Sequence, residues 1–257
     1  MIKDIEFLIK KLFFSESFLL NRRLKRSIKK NYEKELQIID QFRDKSKDAL
    51  DIGVYRGVYS YKLSQHFKKI HSFEPNPLLF PYLEKNLNKI ISNIKLHNLA
   101  LSNTNGVTEL KLPLRSNSIF QDNIEELFQL GAATMHPKNK IENYKRVPIK
   151  IKKLDDIKIE NKIGLIKIDV EGHEKNVIQG GLETIKKNKP ILLVEIEERH
   201  TKTPVIDTIK FINEIGYKAF ISKEKNLIDI EKINDYSNEN NFFFVPIDHK
   251  LIQSSGQ

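Results

Sequence analysis

The stretch of sequence that decides the fold reads Ala49-Leu50-Asp51-Ile52-Gly53-Val54-Tyr55-Arg56-Gly57. Its apolar run predicts a buried strand, and its glycines predict a turn that leads into a helix. A second strand is predicted over residues 70–73, and it delivers Glu74 at its carboxyl end. Glycines let backbone N–H groups approach a ligand, and an acid at such a strand end binds ribose hydroxyls. The stretch therefore predicts a nucleoside-bearing cofactor above a parallel sheet.

The spacing of the acid and the glycines indicates which cofactor this is. The pattern is D-x-G-x-x-x-G, whereas the loops that bind pyrophosphate carry G-x-G-x-x-G. Asp51 stands where a dinucleotide would need positive dipoles. An acid at this turn favours a cofactor that carries a cationic amino or sulfonium group. We therefore expect S-adenosylmethionine.

The composition excludes several kinds of site. The chain has 257 residues, of which 39% are hydrophobic, so it can form one large domain, or one domain with an extension. It contains no cysteine, which excludes disulfides, thiolate zinc sites and a cysteine nucleophile. No H-x-x-x-H pair is present, so no residue is expected as a metal ligand, and a metal bound by His and carboxylate stays open. The absence of cysteine fits a reducing compartment, and the expected location is the cytoplasm.

The net charge of +10 is spread along the chain rather than concentrated in one basic block. Lys, Ile and Asn are all abundant, which indicates a general compositional bias. We therefore do not expect a nucleic-acid partner. A basic face would also suit acidic glycans, nucleotide-linked substrates or an anionic membrane surface.

Residues 1–48 predict a helical extension. Apolar side chains recur there at helical intervals and share one face: Ile5, Leu8, Ile9, Leu12 and Phe13. The stretch that follows is basic through Arg22, Arg23, Lys25, Arg26, Lys29 and Lys30. Two interpretations stay open: residues 1–30 contact a membrane surface or a partner, or the extension packs against the main domain. No apolar run approaches the ~20 residues that span a bilayer, and no signal peptide is expected.

From residue 49 onward, strands alternate with helices, which predicts a mostly parallel, doubly wound α/β sheet. The late strand candidates, between residues 217 and 246, predict an antiparallel edge strand. An Asn105-Gly106 turn predicts a hairpin between residues 100–101 and 107–112.

The carboxyl ends of parallel strands meet at one edge of a sheet, and ligands bind there. Asp51, Glu74 and Asp169 each follow a predicted strand. We therefore expect these three acids, from separate segments, to face one crevice.

Several motifs, in order, carry a resemblance to a known family. They are Asp51-Ile52-Gly53 with Gly57, Phe73-Glu74-Pro75-Asn76-Pro77, Asn98-Leu99-Ala100-Leu101-Ser102, Leu154-Asp155-Asp156, Ile166-Lys167-Ile168-Asp169-Val170-Glu171-Gly172-His173-Glu174, Pro190-Ile191-Leu192-Leu193-Val194-Glu195 and Phe243-Phe244-Val245-Pro246. Over residues 49–246 the chain resembles the FkbM-type family of class I S-adenosylmethionine-dependent methyltransferases.

The resemblance implies a Rossmann-like class I methyltransferase domain over residues 49–257. It implies O-methylation of a hydroxyl of a sugar, a glycan intermediate or a specialised metabolite, with S-adenosylhomocysteine as product. The expected acceptor is thus a small molecule or a glycan. Residues 1–48 and 113–146 fall outside the resemblance, and the insert at 113–146 is expected on the acceptor side. A nucleic-acid methyltransferase and a non-catalytic cofactor-binding or scaffold protein remain the alternatives.

The resemblance also implies which residues bind the cofactor. Asp51 is expected to anchor the amino end of its methionine, and Gly53 and Gly57 let the backbone turn beneath it. Family members often have Asn where this chain has Tyr55, so a polar contact to the methionine end differs here. Glu74 is expected to accept hydrogen bonds from both ribose hydroxyls.

Three further residues complete the expected cofactor site. Asn76 is expected to assist Glu74, although Asn between two prolines is also a turn former. Asn98 and Ala100 lie in the segment that borders the adenine. The alternative to cofactor binding by Asp51 is a structural role, in which its side chain caps the amino end of the following helix.

The catalytic candidates leave the carboxyl ends of two apolar strands: Lys167, Asp169, Glu171, His173 and Glu195. Asp169 is the first choice to position the cofactor or the acceptor. Glu171 or His173 is the expected general base, because the acceptor hydroxyl must lose its proton. Lys167 shares the strand face of Asp169 and is a catalytic candidate for that reason. The alternative is a snorkelling lysine, whose apolar stem is buried while its ammonium group reaches the solvent. Glu195, at the end of the next strand, is expected on the acceptor side.

Overall fold

The computed structural model describes residues 13–30, 32–113, 133–135, 144–233 and 235–253. Most of the apolar face predicted for the extension, from Ile5 to Leu12, lies outside these residues, as does most of the insert predicted at 113–146.

The described strands form two sheets. In chain order they are β1 (Asp48–Ile52), β2 (Ile70–Phe73), β3 (Ile94–His97), β4 (Ala100–Leu101), β5 (Gly106–Pro113), β6 (Tyr144–Lys152), β7 (Ile163–Ile168), β8 (Ile191–Glu195), β9 (Tyr217–Lys223), β10 (Asn226–Asp229) and β11 (Asn241–Pro246). The large sheet has the order β3-β2-β1-β7-β8-β11-β9-β10, and β4, β6 and β5 form a smaller sheet.

Most neighbouring strands of the large sheet run parallel. β1 pairs in parallel with β2 and β7, β2 with β3, and β7 with β8. β11 is inserted antiparallel between β8 and β9, and β10 is an antiparallel edge strand on β9. The predicted sheet, mostly parallel with an antiparallel edge strand, is confirmed.

Helices cover both faces of this sheet. They are α1 (Glu16–Lys30), α2 (Glu35–Ile38), α3 (Val58–Ser64), α4 (Phe80–Ile90), α5 (Glu174–Gln179), α6 (Leu182–Asn188), α7 (Glu198–Thr201), α8 (Val205–Glu214) and α9 (Lys250–Gln253). The central strands bury alternate side chains against α5, α6 and α8 on one face, and against α2 and α3 on the other.

The second face also carries the polar side chains of the strand ends. Asp51, Lys167 and Glu195 lie on it, because side chains two residues apart in a strand share a face. Each follows by two residues a member of the α2–α3 cluster, namely Ala49, Leu165 and Leu193. The amino-terminal segment therefore covers the face of the sheet where these charges emerge.

The described part of the predicted extension packs against the sheet domain. Leu20 and Leu24 of α1 belong to a cluster with residues of α4. The segment 36–42 contributes side chains to the α2–α3 cluster. The Glu35 carboxylate is buried and accepts a hydrogen bond from Ser222 Oγ of β9 at 3.0 Å. The division between residues 48 and 49 stays a prediction.

The predicted hairpin at Asn105-Gly106 is wrong. β4 and β5 do not pair with each other, because β6 lies between them, parallel to β4 and antiparallel to β5. The Asn105 side chain instead holds the chain that leaves β6. It accepts a hydrogen bond from the Lys153 backbone N–H at 2.8 Å and donates one to Asp156 at 2.6 Å.

Within the described ranges, no helix is long and apolar enough to cross a membrane.

Candidate active site

A cavity of about 690 Å³ lies over the carboxyl ends of β1, β2, β7 and β8. Eight of the residues singled out from the sequence line it: Gly53, Tyr55, Glu74, Ala100, Lys167, Asp169, Glu171 and Glu195. Asp51, Gly57, Asn76, Asn98 and His173 are not among the lining residues. The crevice expected from the strand order is therefore present, with some of the expected residues behind its wall.

The turn after β1 has the backbone that its glycines suggest. Gly53 and Gly57 adopt φ angles of 87° and 78°, and Tyr55 between them adopts 47°. A Cβ atom on Gly53 would lie 1.8 Å from the Asp169 backbone oxygen, so only glycine fits. The Gly53 N–H donates to the Phe73 carbonyl at 3.0 Å, which fixes the turn against β2. A non-glycine residue with positive φ, such as Tyr55, is uncommon and is often found at functional sites.

Glu74 is held by the backbone on both carboxylate oxygens. Oε2 accepts the Tyr55 N–H at 3.1 Å, and Oε1 accepts the Asn76 N–H at 3.0 Å. The residue is only 7% exposed, yet it lines the cavity. Burial raises the pKa of Glu74 to about 7, although the two backbone N–H groups favour the ionised form. The site thus fixes both the position and the orientation of this carboxyl group.

Asp51 lies beneath the cavity, in the wall between β1 and α3. Its Oδ2 accepts a hydrogen bond from Ser60 Oγ at 2.5 Å, and Ser60 Oγ is 2.8 Å from Ser72 Oγ. Its Oδ1 is buried and has no hydrogen-bond partner among the described residues. Burial raises the pKa of Asp51 to about 6, while Lys167 and Ser60 oppose that rise. The carboxyl group acts on the cavity through charge rather than through direct contact.

The two expected asparagines support the loop around Glu74. Asn76 Oδ1 accepts the Leu78 N–H at 3.0 Å, and its Nδ2 is buried without a partner among the described residues. Asn98 Nδ2 donates to the backbone carbonyl of Glu74 at 3.0 Å. Ala100 and its two neighbours form an apolar part of the cavity wall.

Lys167, Asp169 and Glu195 form a coupled group in the cavity wall over β7 and β8. Lys167 is 2% exposed, and its Nζ lies 2.6 Å from Asp169 Oδ2. Burial opposes the charge of each side chain. Despite burial, the carboxylates of Asp169, Asp51 and Glu195 keep the pKa of Lys167 raised. Lys167 Nζ also sits 4.8 Å from the centre of the Tyr59 ring.

The two carboxyl groups of this cluster have opposite protonation preferences. Burial opposes ionisation of Asp169, but Lys167 and a hydrogen bond from Glu195 hold its pKa below the ordinary value. Burial and the negative charge of Asp169 raise the pKa of Glu195 to about 9. At neutral pH, Asp169 is therefore ionised and Glu195 carries a proton. Two nearby carboxyl groups with separated pKa values are typical of acid–base sites.

Glu171 lies at the top of the turn that follows β7. Its φ angle is 55°, so it is the second non-glycine residue of the cavity with positive φ. The turn is held by Glu174, whose Oε1 accepts the N–H groups of Val170 and Gly172 at 3.2 and 3.0 Å. Thr134 Oγ1, from the described part of the insert, donates to the Glu171 carbonyl at 2.7 Å.

The Glu171 carboxylate pairs with a histidine that the sequence did not single out. His200 Nε2 lies 3.0 Å from Glu171 Oε2 and 3.3 Å from Glu197 Oε2. Burial favours the neutral imidazole, but the hydrogen bond and charge of Glu171 raise the pKa of His200 overall. By contrast, His173 Nε2 contacts Ser102 Oγ at 2.9 Å, away from the cavity lining.

Three more polar lining residues were missed from the sequence: Glu33, Tyr59 and Asn241. Glu33 precedes α2, and Tyr59 lies in α3, on the sheet face that carries Lys167. Asn241 begins β11, where it pairs with Glu195. No local pattern marks Glu33 or Asn241, whereas Tyr59 could have been found as the second residue of the helix that follows Gly57. Among the described residues, no group of three or more His, Asp or Glu side chains is arranged to hold a metal ion.

Comparison with known proteins gives one match to a family model. Residues 51–219 match the model described as "Methyltransferase FkbM domain". No curated protein matches this chain in sequence.

Among solved structures, the FkbM methyltransferase of Methylobacillus flagellatus is 18% identical with a TM-score of 0.50. The alignment covers 78% of this chain but only 44% of that one, so this chain spans less than half of its length. A putative methyltransferase of Streptococcus mutans, in complex with SAH, is 13% identical with a TM-score of 0.45, over 82% of this chain and 94% of its own. An rRNA methylase of Streptococcus thermophilus is 12% identical with a TM-score of 0.44, over 82% and 90% of the two chains.

Proposed function

The chain belongs to the FkbM family of methyltransferases, and we propose that it methylates a hydroxyl oxygen of a sugar, a glycan intermediate or a specialised metabolite. Membership of the family confirms three expectations from the sequence: the family itself, the Rossmann-like class I fold and S-adenosylmethionine as cofactor. The acceptor, the oxygen specificity and the roles of individual residues are the content of the proposal.

The cavity fits S-adenosylmethionine on its β1–β2 side. An ionised carboxylate accepts about four hydrogen bonds, and Glu74 has used one site on each oxygen for the backbone. One site on each oxygen is therefore left for a ribose hydroxyl. The glycine turn at residues 53–57 lets the backbone approach the cofactor closely. Leu99, Ala100 and Leu101 form an apolar wall that suits the adenine base.

The observation that carries the proposal is the pairing of Asp169 with Lys167 and Glu195 in the same cavity as Glu74. The cofactor supplies a methyl group on a positively charged sulfur. Asp169 remains ionised at neutral pH and offers a negative charge to a cationic donor, while Lys167 holds its carboxylate in one position. Glu195 is protonated and donates its hydrogen bond to Asp169, which holds the Asp169 carboxylate from a second side. These groups would align the two reactants, which is a large part of catalysis in transfer reactions.

Glu171 is our candidate for the general base. Its carboxylate lines the cavity, and the contact with His200 at 3.0 Å holds it in one orientation. In the reaction, the acceptor hydroxyl would give its proton to Glu171 as its oxygen forms the bond to the methyl carbon, while the bond between that carbon and the sulfur breaks and S-adenosylhomocysteine leaves. His173 is less well placed for this role, because its Nε2 is engaged by Ser102 behind the cavity wall.

A transfer assay tests the proposal. The wild-type protein would be incubated with S-adenosylmethionine and a panel of nucleotide sugars, glycans and small polyols, and S-adenosylhomocysteine would be measured. We expect release with at least one acceptor and a mass increase on its oxygen. Asp169→Asn should abolish release, whereas Glu160→Gln, at an exposed acid outside the cavity, should not. Methyl transfer to nitrogen or carbon, or full activity of Asp169→Asn, would contradict the proposal.

We also propose that α1 touches an anionic membrane surface while the protein works in the cytoplasm. Supporting this, the described end of the extension exposes aromatic side chains next to six exposed cations: Phe13, Phe14, Phe18, Arg22, Arg23, Lys25, Arg26, Lys29 and Lys30. Sedimentation with phosphatidylglycerol vesicles, but not with phosphatidylcholine vesicles, is the expected result. Equal sedimentation with both, or with neither, would contradict it.

A further inference from the structure

The cavity is acidic although the protein is basic. The chain has a formal net charge of +10. Five carboxyl side chains and one ammonium group nevertheless line the cavity: Glu33, Glu74, Asp169, Glu171, Glu195 and Lys167. Asp169 balances the charge of Lys167 at 2.6 Å. The remaining charge in the cavity wall is therefore negative.

Two of these carboxylates, Glu33 and Glu171, are available to contact the acceptor, because they are not assigned to the cofactor. The proposed function assigns Glu74 to the ribose, and Glu195 is neutral at pH 7 because its pKa is about 9. Glu171 shares His200 with Glu197. Glu33 has no ion pair among the described residues. Glu33 and Glu171 thus place negative charge in the part of the cavity wall that is not assigned to the cofactor, and His200 offsets a share of the charge on Glu171.

Tyr59 adds a hydroxyl that has no close hydrogen-bond partner to the same region, next to Glu33. The residue is 7% exposed and lines the cavity, and its hydroxyl has no hydrogen-bond partner at normal distance in the described part of the chain. Burial raises the pKa of Tyr59, and the charges of Glu33 and Glu35, together with a long hydrogen bond to Glu33, raise it further, so it remains a neutral donor next to Glu33. A buried hydroxyl without a partner is unfavourable. An acceptor that brings an oxygen or nitrogen to Tyr59 would remove that cost.

A second cavity adjoins the first on the acceptor side. Its volume is about 740 Å³, and it contains Ile196 and Asn240, the direct neighbours of Glu195 and Asn241 in the first cavity. Four of its lining residues are acidic and one is basic: Glu197, Glu198, Asp235, Glu239 and Arg199. Glu239 pairs with Lys34 and Glu197 with Arg199, so among the described residues Glu198 and Asp235 carry the unbalanced negative charge. It also contains Tyr236, whose ring is braced edge-on against Phe242 at 6.0 Å. A partly exposed aromatic ring beside carboxylates suits a hydroxylated ring that carries positive charge.

We propose that the acceptor is an amine-bearing glycan that is longer than one sugar ring. This inference rests on the proposed function and names its substrate class. Glu33 and Glu171 attract an ammonium group on the ring that is methylated, and Tyr59 donates a hydrogen bond to that ring. The following ring lies over Tyr236, among the carboxylates of the second cavity. Phosphates and carboxylates would be repelled from both cavities, which disfavours nucleotide-linked sugars and nucleic acid.

Calorimetric titration tests this substrate class by binding alone, without a transfer reaction. The protein would first be titrated with S-adenosylhomocysteine, and the saturated complex would then be titrated with the glucosamine tetrasaccharide of chitosan or with its N-acetylated counterpart. These two ligands have the same length and linkage, and only the first is cationic below the pKa of its amines. We expect the cationic one to bind at least about tenfold more tightly at low salt, with the preference shrinking as salt screens the charges. Glu33→Gln should reduce the preference severalfold, and Glu160→Gln should leave it unchanged.

Several outcomes would overturn the inference. They are equal binding of the two tetrasaccharides, tighter binding of the acetylated one, no binding of either, and tighter binding of a galacturonate tetrasaccharide. Tetralysine binding as tightly as the amino sugar would show that charge alone is recognised and would overturn the glycan assignment. Failure of S-adenosylhomocysteine to bind would overturn the proposed function itself. Normal binding of that product without a preference for the amine would overturn this inference alone.

Discussion

Replacing Glu74 with glutamine is expected to abolish the pH dependence of cofactor binding. In the free protein, burial raises the pKa of Glu74 to about 7 from an ordinary value of 4.5. Below pH 7 the side chain is therefore largely protonated, whereas two ribose hydroxyls require an ionised carboxylate with open acceptor sites. Binding then releases a proton, so the affinity should fall about tenfold for each pH unit below the pKa of Glu74.

The same group contributes to stability with a definite sign. Between pH 4.5 and about 7 the folded protein holds a proton on Glu74 that the unfolded chain has lost. The free energy of unfolding therefore decreases as the pH rises through this range. The size of the decrease that corresponds to this pKa difference is about 3 kcal/mol. Glu74→Gln has no such proton to lose, so its unfolding free energy should lack this share of the decrease.

Calorimetric titration with S-adenosylhomocysteine, at a series of pH values below and above 7, measures the binding effect. Urea unfolding of the free protein at the same pH values measures the stability effect. Glu160→Gln serves as the matched control, because it removes an exposed carboxylate outside the cavity. A wild-type Kd that does not change with pH, or a Glu74→Gln Kd with the wild-type dependence, would refute the reasoning.

Three further predictions follow from the same geometry. Lys167→Met should destabilise the fold by about 3 kcal/mol in urea unfolding, because Asp169 loses its buried partner. The double variant Lys167→Met/Asp169→Asn should regain most of that stability but not the transfer activity. Equal stability of the single and double variants would contradict this prediction. Gly53→Ala should destabilise the fold far more than Gly216→Ala, because a Cβ at Gly53 collides with the Asp169 backbone. A Cβ at Gly216 meets no atom, so that variant pays only the strain of a positive φ angle, about 1 kcal/mol. Similar melting temperatures of the two variants would contradict this prediction. Glu171→Gln should lower kcat about 100-fold with an unchanged Kd for S-adenosylhomocysteine, and a loss of affinity at normal kcat would argue against a base at that position.

The meeting of the three strand-end acids could be predicted, because carboxyl ends of parallel strands share one edge. In the structure, Asp51 and Asp169 are close enough to Glu74 to help raise its pKa. The direction of each side chain could not be predicted in the same way. Asp51 points toward Ser60 and lies behind the cavity wall, and this depends on how α3 packs against β1.

Most of the proposed acceptor half of the cavity could not be predicted from the sequence. Glu33, His200 and Asn241 come from distant segments that carry no motif, and only the docking of the extension and the insertion of β11 bring them together. The protonation of Glu195 also depends on a partner in another strand. The wrong hairpin at Asn105 has the same origin, because a local turn signal does not reveal that β6 will pair with both flanking strands.

A crystal structure of the complex with S-adenosylhomocysteine tests the central claim most directly. We predict that the two ribose hydroxyls each lie within hydrogen-bond distance of one Glu74 carboxylate oxygen, and that the sulfur faces the side of the cavity that holds Asp169 and Glu171. A ligand bound elsewhere, or one whose ribose makes no contact with Glu74, would contradict the account.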